Sequence, residues 1–319
     1  MAVATELLTT TEAARRMGVD DETVRRYIKA GTLPALTTAG GHYRLRSADI
    51  TAYLSAQGLT AVTGPVAIAV VHHAGGVGKT TTTLNLGHSL ARAGRRVLLV
   101  DLDPQADLSE RLDQVPGTPS LAAVLLGKAA GPPARVTCHW SNSDVTMDLI
   151  AGRLEEMADV EPQLIAVQMR EQRLARAIAP LRKAYDVILF DCPPSLSLLT
   201  TNAFWAADQA LVPMQAQDKA LRQLPKILGS ISEVQQFREG PPALLGVLLT
   251  MTTNNRMSRE VEQALREAYG DQVFDVTIPQ RTRMAEDARW NAPVALFAPK
   301  DGAEAYHALA QEVIHRARA

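Results

Sequence analysis

The feature that most restricts what this chain can fold into is the run from Val66 to Thr81. The apolar stretch Val66-Ala67-Ile68-Ala69-Val70-Val71 leads into His72-His73-Ala74-Gly75-Gly76-Val77-Gly78-Lys79-Thr80-Thr81, and a helix-like segment continues from Thr82 to Ala93. A buried strand therefore passes through a glycine-rich turn into a helix N-terminus. Such a turn holds phosphate. The first N–H groups of a helix have no intrahelical acceptor, they lie along a favourable dipole, and glycine lets backbone come close to the anion. Lys79 is placed to reach β and γ phosphates as a point charge, and Thr80 to set a hydroxyl on Mg²⁺. The spacing is a variant: the common G-x-x-x-x-G-K-[ST] pattern needs glycine at 73, where this chain has His73, and the pair Gly75-Gly76 stands instead.

At 319 residues the chain can bury a sizeable core and form more than one domain. Its 46% hydrophobic and 21% charged residues fit a soluble globular protein. A net charge of −1 leaves any nucleic-acid binding to local basic clusters. Two cysteines, Cys138 and Cys192, far apart, argue against a disulfide framework and against a cysteine-rich metal site, which suits a reducing cytoplasm. No signal-like start and no run near the ~18 apolar residues of a spanning helix is present, so no membrane role is expected.

The first sixty residues carry two short helical signals. Thr10 or Thr11 can cap a helix with Ala13, Ala14 and Met17 inward, ended by Gly18. Asp20 or Asp21 can cap a second, with Val24, Tyr27 and Ile28 inward and Gly31 as the stop. A hairpin across Gly40-Gly41 follows, its return strand His42-Tyr43-Arg44-Leu45-Arg46, and then a third helix opened by Ser47. The order helix, helix, hairpin, helix resembles the winged helix-turn-helix of MerR-like and excisionase-like DNA-binding domains. That resemblance places the second helix in a major groove, with Thr23, Arg25 and Arg26 near bases or phosphates, and Tyr43, Arg44 and Arg46 on a wing gripping the flanking backbone. One such module makes a small interface, so a dimer on a two-fold operator is expected. The domain reading is a DNA-binding unit over 1–56, a linker over 57–65 that ends in Gly64-Pro65, and a nucleotide unit over 66–319.

Two further apolar runs end in acids: Val97 to Val100 before Asp101-Leu102-Asp103, and Val187 to Phe190 before Asp191. Buried parallel strands deliver such carboxylates to the C-terminal edge of a sheet, where doubly wound folds bind ligands. Alternating strand and helix signals continue, with strands expected at 210–214, 244–251 and 273–278, a long helix-like stretch over 164–181, and a closing helix over 303–316. The fold class is α/β, a doubly wound, mostly parallel sheet of the phosphate-loop NTPase kind, preceded by the small winged helix-turn-helix domain.

The loop Gly-Gly-Val-Gly-Lys-Thr-Thr, the segments Val-Asp-Leu-Asp-Pro-Gln and Phe-Asp-Cys-Pro-Pro, Gly246 to Thr250, and Ile278-Pro279 with Arg283 and Glu286 look like the ParA family of partition ATPases. The resemblance implies ATP and Mg²⁺ as cofactors, a homodimer that sandwiches nucleotide, non-specific DNA binding in the ATP state and association with the nucleoid. Hydrolysis would be stimulated by a ParB-type partner protein. It implies nucleotide contacts from Gly75, Gly76, Val77, Gly78, Lys79, Thr80, Thr81 and Pro279. It sets Thr80, Asp101 and Asp191 at the metal, and Lys79 with the water-orienting Asp103 as the catalytic pair.

Three departures stand out. The family's signature lysine, which crosses the dimer to the partner's phosphates, is Ala74 here; Arg281 replaces a common asparagine; and Ala220-Leu221-Arg222 lacks the usual glycine. A lost trans cation resembles a missing arginine finger, so ATPase activity is expected to be slow or partner-stimulated. His72 and His73 either pack at the strand end or face the phosphate. The competing expectation is a transcriptional regulator in which nucleotide switches the state of the dimer with little or no turnover.

Overall fold

A computed structural model of the chain describes residues 7–17, 21–38, 40–56, 64–217, 219–281, 291–297 and 302–317. Gly18, Asp20, most of the expected linker (57–63), Asp218, Arg283, Glu286 and Arg289 lie outside the described residues.

The N-terminal unit contains β1 (Leu7–Thr9), α1 (Thr10–Met17), α2 (Asp21–Lys29), β2 (Leu36–Thr37), β3 (Tyr43–Arg46) and α3 (Ser47–Ala56). The expected hairpin is there, but the sheet has a third strand: β1 pairs antiparallel with β3, giving the order β1-β3-β2. Residues 7–9 are too short to show a period in sequence. The cap of α1 is also one residue earlier than expected. Thr9 Oγ1 accepts from Glu12 N–H at 3.1 Å while Glu12 Oε2 accepts from Thr9 N–H at 2.7 Å, a reciprocal capping box. Ala13, Ala14, Met17, Val24, Leu33, Leu45 and Ile50 form the buried core of this unit.

The second unit is built on seven strands: β4 (Val66–Val70), β5 (Val97–Asp101), β6 (Val136–Trp140), β7 (Ser143–Ile150), β8 (Val187–Asp191), β9 (Gln209–Gln215) and β10 (Ala243–Thr250). Their order is β10-β9-β4-β8-β5-β7-β6, all parallel except the edge pair β6 and β7. Every residue of β4, β5 and β8 is buried, as strands covered on both faces must be. One core layer packs Leu98, Ile188, Phe190, Leu199 and Leu224; the other packs Ile68, Leu86, Leu99, Leu189 and Leu309.

Two expectations fail here. The stretch 273–278 makes one isolated bridge, Val247 with Val273, followed by a second just beyond it, Thr252 with Pro279, and no strand. The stretch 164–181 is not one helix: Met169 turns the backbone to φ 52°, separating Val160–Leu164 from Arg173–Ile178. Among the described residues no helix is long and apolar enough to cross a membrane.

Candidate active site

β4 lies in the middle of the sheet, so the turn that follows it opens at the C-terminal edge, between the ends of β8 and β9. His72 is buried there; its Nδ1 accepts from Ala74 N–H at 2.9 Å, and its ring stacks on His73 with centroids 4.8 Å apart. Burial, then the charges of His73 and Lys79, push His72 down to about 4, and burial followed by Lys226 and Lys79 lowers His73. Both rings are neutral at pH 7 and hold the strand end; neither supplies the cation missing at Ala74.

Gly76 and Gly78 have φ of 73° and 89°, a region side-chain-bearing residues rarely enter. Three donors pin the carbonyls of the turn. Gln215 Nε2 donates to Gly76 O at 2.7 Å, Thr250 Oγ1 to Val77 O at 2.9 Å, and Lys79 Nζ to Ala74 O at 3.2 Å. The helix α4 (Lys79–Arg92) begins its ladder with Thr82 N–H on Gly78 O at 2.8 Å, leaving the N–H groups of Lys79, Thr80 and Thr81 outside it. Beside them lies a cleft of about 360 Å³ lined by Gly75, Gly76, Gly78, Lys79, Thr80, Thr81, Asp103, Gln105, Asp107, Arg111, Thr250, Pro279 and Arg281. Val77 is not in this lining; its side chain is buried and its carbonyl accepts from Thr250.

β5 and β8 are neighbours with Asp101 opposite Asp191. Asp191 is fully buried; its Oδ1 accepts from Thr83 Oγ1 at 3.3 Å and its Oδ2 has no partner. Burial first, then Asp101, raises its pKa, and Thr80 and Lys79 partly offset that rise. Lys79, also buried, is lowered by desolvation and drawn back by Asp191 and Asp103. An unpaired buried carboxylate oxygen next to Thr80 and Lys79 suits a hard cation, held directly or through water. Asp103 lines the cleft, accepts from Gln105 N–H at 3.0 Å, and is raised chiefly by burial.

Asp101, opposite Asp191, is held by hydrogen bonds from residues that follow it closely in the chain. Its Oδ2 accepts from Ser109 Oγ at 2.6 Å and Ser109 N–H at 2.9 Å, and its Oδ1 from Asp103 N–H at 3.3 Å. Ser109 Oγ accepts in turn from Gly152 N–H at 2.9 Å. Asp101 thus ties the loop after β5 to the helix Asp107–Arg111, fully buried and outside the cleft lining. Thr83, Ser109, Gln215 and Thr250 are the contributors that sequence reasoning missed.

On the N-terminal unit the expected DNA contacts are displayed rather than enclosed. Arg25, Arg26 and Arg46 are exposed, and Thr23, Tyr43 and Arg44 are half-buried. Arg25 Nε pairs with Asp21 at 2.6 Å on the same helix, and the Arg26 guanidinium lies over the Tyr27 ring.

The doubly wound sheet, the glycine turn and the paired carboxylates define a phosphate-loop ATPase. Comparison with known proteins says which kind. Residues 66–240 match the family model described as an AAA domain, and residues 7–58 match one described as a helix-turn-helix domain. The chromosome partitioning protein ParA of Caulobacter vibrioides is 37% identical over 257 residues, 79% of this chain and 94% of that protein. The sporulation initiation inhibitor protein Soj of Bacillus subtilis is 36% identical over 250 residues, 77% of this chain and 97% of that protein. The solved structure of a cobyrinic acid a,c-diamide synthase from Mycobacterium smegmatis, with a bound ATP analogue and magnesium, superposes with a TM-score of 0.66. It is 36% identical and covers 77% of this chain and 92% of that one. The chain belongs to the ParA family of P-loop ATPases and carries a helix-turn-helix domain at its N-terminal end.

Proposed function

We propose that this chain is an ATP-driven DNA-partition protein that also carries its own operator-reading module, with residues 1–56 joined through 57–65 to an ATPase unit over 66–319. One observation carries the reading: backbone N–H groups, Lys79 and the unpartnered Asp191 Oδ2 converge at one sheet edge. The residues fit nucleotide and metal. The loop from Gly75 to Thr81 would hold phosphate, Pro279 would line the base, and Thr80 and Asp191 would hold Mg²⁺, which would supply positive charge to the phosphate oxygens.

Asp103 orients the attacking water, and because burial raises its pKa it can accept a proton as the oxygen attacks. Lys79 exchanges the Ala74 carbonyl for β and γ phosphate oxygens. In-line attack needs positioning more than covalent chemistry, and this set suffices. Ala74 contributes no charge across a dimer, so turnover is slow until a ParB-type partner and DNA engage the homodimer. The dimer grips any duplex electrostatically, in the cytoplasm on the nucleoid, while α2 and the β2–β3 wing read an operator.

ATP turnover of the full chain, alone and with DNA and partner, tests this. Slow basal turnover that rises severalfold is expected; a basal rate equal to the stimulated one overturns it. Ala74 also favours a second reading, a nucleotide-switched regulator, which predicts operator binding that depends on ATP with no turnover under any condition. In either case Arg44→Ala should weaken operator binding about tenfold and lower the salt slope by about 1.

A further inference from the structure

A nucleotide polyphosphate brings several negative charges, and the loop meets it with few positive ones. Between His72 and Thr81 only Lys79 is cationic, since burial keeps both histidines neutral and position 74 is alanine. The cleft wall adds acids, Asp103 and Asp107. Two more cations line it: Arg281, two residues after Pro279, and Arg111.

Arg111 is the one the fold holds against the phosphate loop. It ends the helix Asp107–Arg111, which the fully buried Asp101 anchors through Ser109. Its Nη1 donates to Thr81 Oγ1 at 3.2 Å. Thr81 lies in the first turn of α4, among the residues whose N–H groups stand outside the helix ladder, where a phosphate loop cradles α and β phosphates rather than γ. A guanidinium has five N–H donors in a planar fork, so one can stay on Thr81 while others turn to phosphate oxygens.

We propose that Arg111 is a phosphate-contacting residue that grips the α and β phosphates of the bound nucleotide and supplies, within the same subunit, positive charge that the loop lacks at Ala74. The proposal rests on the reading of the cleft as a nucleotide site. It makes Arg111 a determinant of affinity for ATP and ADP alike, in contrast to Lys79, whose reach includes the γ phosphate.

The test uses the full chain, fluorescent ATP and ADP analogues with Mg²⁺, and the variants Arg111→Gln and Arg111→Lys. Glutamine can still donate to Thr81 but has no charge; lysine keeps the charge. Arg111→Gln should weaken both nucleotides by the same factor, about tenfold, and reduce the salt dependence of binding, while Arg111→Lys stays within about threefold of the parent. Three results overturn the proposal. One is parental affinity in Arg111→Gln. Another is equal loss in both variants accompanied by a lower melting temperature without nucleotide, which makes Arg111 a tie between helices only. The third is a loss confined to ATP. If the parent chain binds neither nucleotide, it is the reading of the cleft that fails, an outcome distinct from all three.

Discussion

The two functional surfaces of this chain follow opposite physical logic. In the ATPase cleft the charged groups Lys79, Asp103 and Asp191 are buried, and the site is pinned by bonds from far along the chain: Gln215 to Gly76, Thr250 to Val77, Thr83 to Asp191. In the helix-turn-helix unit they are displayed, and their contacts are local, such as Arg25 with Asp21 one turn earlier and Arg26 with its neighbour Tyr27. Phosphoryl transfer needs preorganised charge in a dry site, where each interaction is strong. Operator reading needs mobile charge facing water, where affinity comes with counterion release and depends on salt. Both units therefore bind phosphate, one through geometry and one through charge density.

The largest effect expected from this contrast is at Lys79. Lys79→Ala should cut ATP turnover by about 10³-fold or more, as removal of a preorganised charge at a reacting phosphoryl group does, measured as phosphate release. Operator binding at fixed protein concentration should stay within about threefold, because α2 and the wing share no residue with the cleft. Loss of operator binding in the same variant would break the separation and show that nucleotide-driven dimerisation feeds the DNA-reading unit.

The same contrast governs what could be read from the sequence. The phosphate loop was legible because strand, glycines, lysine and helix are contiguous, and Asp191 because an apolar run ends on it. Asp101 and Asp103 follow the same run, two residues apart, and no local signal says which one faces the cleft. That choice is made by Ser109, which claims Asp101, and by Gly152, far along the chain, which donates in turn to Ser109. Gln215 and Thr250 were illegible for the same reason: Gln215 ends β9 beside β4, Thr250 ends β10 one strand further out, and each meets the loop only once the sheet has formed. The small unit gave up its helices readily through caps and glycine stops but hid β1, whose three residues make sense only when paired with β3. The pairing of Arg25 with Asp21 has a local signal, an acid four residues before an arginine on a helix.

A medium effect should appear in the pH dependence of stability. Burial holds Asp101 up at about 7 and raises Asp191 above the ordinary 3.8. A folded state that holds protons more tightly gains stability that is complete below the unfolded value and is lost as pH rises through the folded one. His72 and His88, pushed down to about 4 by burial, act oppositely: their contribution is complete above 6.5 and is lost as pH falls toward 4. Between about pH 4 and 6.5 the two sets oppose each other, and above 6.5 only the carboxylate loss remains, so the nucleotide-free ATPase unit should lose stability as pH rises from about 6.5 toward 8. Asp191→Asn removes part of that alkaline loss, so its melting temperature should exceed the parent's by a few degrees at pH 8.5 and match it only near pH 4, where the unfolded carboxyl is also largely protonated. An identical difference at both pH values would sink the assignment. Thr10 is the only buried polar or charged side chain among the described residues of the N-terminal unit, so its own transition should be flat over this range.

The smallest expected effect isolates the N-terminal unit. Its core is a handful of side chains, and α1 is held at its start by the reciprocal bonds of Thr9 and Glu12. Thr9→Ala deletes the side chain that accepts from Glu12 N–H, at a cost of about 1 kcal/mol for a helix cap, while the strand pairing of Thr9 with Arg44 through the backbone persists. In a domain this small a loss of that size lowers the melting temperature by roughly 5 °C. The side chains of that core all belong to the N-terminal unit, so calorimetry on the full chain should show one transition move and the other stay. If both transitions move together, the two units fold as one, and the division between buried geometry and displayed charge describes two faces of a single cooperative body.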